Sequence, residues 1–179
     1  MAIKDLTKMG NPVLRKVALE YPSEEIGGEK FIKLIKDLED TMKENGGIGI
    51  AAPQIGVSYQ VAIIQLPDNS ERYPDIAKSD QYIVVNPTIE VIDQTEQGFW
   101  EGCLSVPGLR GFVHRPRKVK ITFLNDHAQQ EELILEGFLA TVFQHELDHL
   151  FGKLYIDRIK DLTLLSYEEE FRQFWQDTI

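Results

Sequence analysis

From Glu24 to Asn45 the apolar residues Phe31, Ile35, Leu38 and Met42 recur at intervals of four, three and four, the period of a helix with one buried face. Ser23 is placed to cap its start, and Asn45-Gly46-Gly47 is a stop signal. The period then changes. Val57 to Leu66, Tyr82 to Ile92, Val119 to Leu124 and Glu132 to Leu135 are short β-branched or alternating runs. Turn-forming clusters separate them, notably Pro67-Asp68-Asn69-Ser70 and Asn125-Asp126. Helical spacing returns from Phe138 to Leu150, between Gly137 and Gly152, and again over roughly Asp161 to Gln176. Helix, antiparallel strands, helix, helix predicts an α+β domain rather than an alternating α/β one.

At 179 residues the chain suits one domain, spanning 1–179. The formal charge of −10, from 19 basic and 29 acidic residues, argues against a general binder of phosphate backbones, so no specific nucleic-acid partner is expected. Arg110, Arg115, Arg117, Lys118 and Lys120 form the only dense cationic stretch, which reads as a solvated strand edge. No apolar run approaches a membrane span, and the start lacks a signal-peptide layout. A cytoplasmic protein without a membrane partner is the expectation. The single cysteine, Cys103, cannot form an internal disulfide.

The chemistry concentrates in His145-Glu146-Leu147-Asp148-His149. On a helix, residues four apart stand on one face, so two imidazoles can share a metal ion. Glu146 projects about 100° away, badly placed as a ligand but able to reach a water as general base. Such a motif also arises by chance on ordinary helices. Two features strengthen it here: two of the chain's four histidines lie in it, and Phe138 and Val142 continue the histidine line toward the helix start. A hydrolytic site needs a third ligand. Downstream of His149 there is no histidine, and Glu168, Glu169 and Glu170 form an exposed-looking run. Upstream, Cys103 in Glu101-Gly102-Cys103-Leu104-Ser105 is the better candidate. His114 and His127 read as structural or exposed. In Gly47-Ile48-Gly49-Ile50-Ala51-Ala52-Pro53-Gln54, the lone amide of Gln54 is the kind of uncharged donor that a developing oxyanion needs.

Gly47 to Gln54, Glu101 to Ser105 and Gln144 to Leu150 together resemble, in order, the three motif segments of peptide deformylases. The likeness runs from Asn11-Pro12-Val13-Leu14-Arg15 to about Ile156. It implies antiparallel β-sheets packed around a central helix that carries the His-Glu-x-x-His motif, with N-terminal and C-terminal helices. It implies a metal held by Cys103, His145 and His149, with Glu146 as general acid/base. The Gln54 side chain and the Leu104 backbone N–H would receive the oxyanion. Glu101 and Arg115 would form a supporting salt bridge. Ile48, Gly49, Phe138 and Val142 would line the substrate pocket. The implied reaction removes the formyl group from the N-terminal formylmethionine of new proteins and releases formate. The implied native ion is Fe2+, with Zn2+, Ni2+ or Co2+ as substitutes, since the donors themselves suit all four. Some members dock on the ribosome through a basic C-terminal extension. Here the end from Ser166 to Ile179 is acidic, which does not support that route. Two rivals remain at this point: a metallopeptidase cutting internal bonds, and a closed structural metal site, which would usually take four protein ligands.

Overall fold

A computed structural model of the chain describes residues 3–66 and 78–176. The turn expected at Pro67-Asp68-Asn69-Ser70 lies outside the described residues. Helix α1 spans Glu29–Glu44, starting five residues later than the apolar period suggests. Ser23 instead belongs to a short 3-10 turn, and Gly27, at φ +84°, bends the chain before the helix begins. The stop is as expected: Asn45 caps α1 and Gly46 follows in the left-handed region at φ +62°.

Six strands pair antiparallel: β1 (Gly49–Ala51), β2 (Val61–Ile64), β3 (Tyr82–Cys103), β4 (Val106–Leu124), β5 (Gln130–Glu136) and β6 (Leu165–Tyr167). The first five run in spatial order β1-β2-β3-β4-β5, and β6 adds to β4, so antiparallel pairing joins all six. Strands β3 and β4 form one long hairpin from Val85↔Leu124 to Cys103↔Val106. Register shifts between Val91 and Asp93 and between Asp93 and Glu96 interrupt it. Bulges of this kind bend a strand, letting one hairpin serve both the core and the site.

Helix α2 (Gly137–Leu150) is the central helix, with every residue from Ala140 to Leu150 buried. Its Phe143 and Leu147 pack with Ile64, Val84 and Ile121 in one core cluster. Phe31, Leu38 and Met42 of α1 pack with Ile50, Val61 and Ile63 in another. Strand β2 therefore lies between the helices, with Val61 and Ile63 toward α1 and Ile64 toward α2. This accounts for its unbroken apolar run, Val-Ala-Ile-Ile.

Two expectations are corrected. The helical pattern over Asp161–Gln176 resolves into a 3-10 turn (Leu162–Leu164), strand β6 and a shorter helix α3 (Glu168–Phe174), because Leu109 to Gly111 of β4 offers hydrogen-bonding positions to β6. The cationic stretch is not a solvated edge. Strand β4 lies between β3 and β5, Arg110 and Arg115 are buried, and Arg117, Lys118 and Lys120 pair with Glu136 and Glu90. Buried guanidinium groups persist there because carboxylates from distant segments meet them.

Candidate active site

Cys103 closes β3 at the hairpin turn, where the register shifts between Glu101 and Cys103. Helix α2 brings His145 and His149 alongside, their ring centroids 5.1 Å apart. One donor atom from each of Cys103, His145 and His149 lies within 4.8 Å of the others, all three residues buried. Cys103 Sγ is 3.3 Å from His149 Nε2. His145 Nδ1 is 2.7 Å from Glu101 Oε2, which leaves its Nε2 as the donor for the cluster. Arg115 fixes Glu101 through a two-pronged contact, Nε to Oε1 at 2.6 Å and Nη2 to Oε2 at 2.9 Å. Arg115 also donates to Asp148 Oδ2 at 2.8 Å, and Arg158 grips the same carboxylate at 2.5 Å on each oxygen. Gln54 comes from the 3-10 turn after β1. Its Oε1 accepts from the Ala51 N–H at 2.8 Å, so its Nε2 faces Cys103 Sγ at 3.5 Å.

Burial alone would raise the Cys103 thiol, but the charge of His149 and hydrogen bonds from His145 and His149 outweigh it and hold the thiol well below its ordinary range. Burial would lower His145, yet hydrogen bonds to Cys103 and Glu101 carry it well above the usual imidazole value. Burial pushes Glu146 up to about 7, opposed by His145 and His149 and reinforced by Cys103 and Glu101. Burial also disfavours the charged form of Glu101, but Arg115 and then His145 bring it down to about 2. A thiolate, two imidazoles and a carboxyl near neutrality suit a divalent cation, whose charge would displace the His145 proton. The Glu146 Oε2 and His149 Nδ1 atoms are buried with no hydrogen-bond partner among the described residues. The first of these is where a polar reactant would be held.

Cys103, His145, Glu146 and Gln54 line a cleft that mixes apolar and polar side chains, as ligand sites do. Ile48, Gly49, Phe138 and Val142 all line it, together with Gln54 and Leu104. Glu146 lies against β1. A Cβ at Gly49 would fall 2.5 Å from Glu146 Oε1 and 2.7 Å from its Cγ, so only glycine leaves room for this carboxyl. Gly49→Ala is therefore expected to keep the fold and its metal capacity while displacing Glu146. A misplacement on the order of 1 Å costs about 10²-fold in rate. Turnover per bound ion measures this, and a parental value would release Gly49 from the role.

The sequence profile described as "Polypeptide deformylase" matches residues 3–164. This chain belongs to the peptide deformylase family. A peptide deformylase of Leptospira biflexa is 43% identical over 170 residues, covering 95% of each chain. Peptide deformylase 1 of Bordetella pertussis is 44% identical over 167 residues, covering 93% of each. Among solved structures, the class I type b peptide deformylase of Acinetobacter baumannii bound to Met-Ala-Ser superposes with a TM-score of 0.84 at 35% identity, covering 88% of this chain and 99% of that one. The actinonin complex of the Synechococcus elongatus deformylase gives 0.78 at 32% identity, covering 95% of this chain and 85% of that one.

For a deformylase the site holds more than its three motifs. Arg158 and Asp148 extend the Glu101–Arg115 pair, and Arg110 meets Glu168, the first acid of what reads as an exposed run. The Tyr155 ring lies nearly parallel to that of His145, at 6.0 Å and 17°. Nothing in the local pattern marks Tyr155 or Arg158, because each acts only once the turn after α2 folds back on the helix. His114 and His127 stay away from the cluster: His114 packs on Phe112 and His127 pairs with Asp126 in an exposed turn.

Proposed function

We propose that this chain performs its family's hydrolysis, removing the formyl group from peptides that begin with formylmethionine, within one catalytic domain spanning 1–179, with Cys103, His145 and His149 holding the divalent ion. The observation that carries this is the convergence of their three donor atoms beside a cleft lined by Glu146, whose buried Oε2 has no hydrogen-bond partner among the described residues. When bound, such an ion supplies Lewis acidity that lowers the pKa of a water and polarises a carbonyl.

The chain's own residues do the rest. Glu146 takes a proton from the attacking water, whose oxygen bonds to the formyl carbon. Gln54 Nε2–H, oriented by the Ala51 N–H on its other end, and the Leu104 backbone N–H donate to the oxyanion. Glu146 then passes its proton to the departing amine as the C–N bond breaks, and formate leaves. A carboxyl balanced near neutrality suits both transfers. Glu101 keeps His145 turned with Nε2 inward, and Arg115 keeps Glu101 charged. Ile48, Gly49, Phe138 and Val142 receive the methionine side chain, which is apolar and unbranched.

Fe2+ is the native ion in this reading, with Zn2+, Ni2+ and Co2+ able to occupy the same donors. The protein works on nascent peptides in the cytoplasm. The formyl carbon bears only hydrogen, so selectivity is the sharp test. Formyl-Met-Ala-Ser should be hydrolysed and acetyl-Met-Ala-Ser left intact. Equal cleavage of both, or cutting at an internal peptide bond, would favour a general metallopeptidase.

A further inference from the structure

Trp100 and Gly102 line the same cleft as Glu101 and Cys103. Successive strand residues point to opposite faces. Glu101 turns inward to His145, so the Trp100 side chain takes the opposite face of β3, where the residue still lines the cleft. Three rings hold its indole there. Phe112 of β4 lies 5.7 Å away, Phe171 of α3 5.0 Å, and Trp175, just past the end of α3, 5.6 Å. Trp100 Nε1 is buried with no hydrogen-bond partner among the described residues. No polar contact therefore fixes the indole, and its orientation depends on ring packing. Two of the three rings come from the C-terminal segment. That segment is tied to the sheet by β6 and by Arg110, which contacts Glu168 through Nε at 2.7 Å and lies 5.6 Å from the Phe171 ring centre.

We propose that the C-terminal helix is a positioning element of the substrate cleft: Phe171 and Trp175 hold Trp100 at its mouth, where the indole contacts the peptide residues that follow formylmethionine. This rests on the deformylase reading of the cleft. With the formyl carbon beside Glu146 and the methionine side chain against Val142 and Ile48, the rest of the peptide must leave through the mouth. Trp100 and Gly102 form part of the lining there, one a broad apolar wall and the other a stretch of bare backbone. Trp100 is then a specificity determinant for the residues after methionine, and Phe171 and Trp175 act through it.

The chain has two tryptophans, and both belong to this cluster, so indole emission reads it selectively. In the otherwise intact, metal-loaded chain, Trp175→Phe leaves Trp100 as sole emitter and keeps a ring in place. Binding of Met-Ala-Ser is expected to shift that emission, and to leave unchanged the emission of Trp100→Phe, where only Trp175 remains. In kinetics, Phe171→Ala and Trp175→Ala should each raise KM for formyl-Met-Ala-Ser about tenfold, the loss of roughly one aromatic contact. The kcat, the metal content and the KM for formyl-methionine amide should stay at parental values, and Trp175→Phe should restore the tripeptide KM. An equal rise for both substrates, no rise for either, or an emission deaf to Met-Ala-Ser would overturn the proposal. If the parent chain released no formate at all, the reaction assignment would fail, while the emission titration would still report whether the peptide meets Trp100.

Discussion

Glu146→Ala is expected to bind its metal ion at parental stoichiometry and to release formate about 10²- to 10⁴-fold more slowly, the usual worth of general acid/base catalysis. The geometry separates the two functions. His145 and His149 share one line of α2, whereas Glu146 projects about 100° around it and lies against Gly49. Its Oε2 has no partner among the described residues, so removing it breaks no hydrogen bond there. The isosteric Glu146→Gln guards against a packing effect, because it keeps the shape and loses the proton acceptor. Metal analysis and turnover on the same preparations decide the matter. A metal-loaded Glu146→Ala enzyme working at near-parental rate would remove Glu146 from the reaction.

Cys103→Ala should lose metal and activity together. Cys103 is buried at the hairpin turn, and its Sγ is approached by His149 Nε2 at 3.3 Å, by the Ser105 N–H at 3.4 Å and by Gln54 Nε2 at 3.5 Å. Donors converging on one sulfur mark it as a thiolate rather than a packing residue. Loss of a residue that merely supports a ligand costs about 10- to 100-fold in metal affinity, and loss of the ligand itself should exceed that. Cys103→Ser, with a harder and less acidic donor, should fall between. Full metal occupancy with normal turnover in Cys103→Ala would mean that the sulfur is structural.

The convergence of Cys103, His145 and His149 was legible because their spacing is chemistry in itself. His145 and His149 must face one point if the segment is helical, and Glu146 must then face elsewhere. The single cysteine and single well-placed amide left few other completions. The Glu101–Arg115 pair came only from the resemblance, and the other supporting residues, Asp148, Arg158 and Arg110, were opaque to local reading for the opposite reason. Arg110 and Arg115 look like solvated cations in a local window. Glu101 is 14 positions from Arg115, Asp148 is 33, and Glu168 is 58 from Arg110. Only the folded β3–β4 hairpin brings those charges together, and without them the arginines could not be buried. The C-terminal segment shows the same limit. Its helical period is real over Glu168–Phe174, but three residues before it join β4 because that strand has pairing positions left, a property of the sheet rather than of the segment. Of the four runs read as strands, Tyr82 to Ile92 and Val119 to Leu124 are pieces of the longer β3 and β4, since bulges near Asp93 break the alternation, whereas Val57 to Leu66 holds the shorter β2.

The most direct measurement is formate release by the chain itself. Protein stripped of metal, then reloaded with ferrous iron under anaerobic conditions to one ion per chain, is given formyl-Met-Ala-Ser, and formate and free amino terminus are both quantified. Formate and amine should appear one for one, be absent with stripped protein, and return with the ion. A fully loaded, folded chain that releases no formate, or a stripped chain that releases it at the loaded rate, would contradict the assignment of Cys103, His145, His149 and Glu146 as the deformylating site.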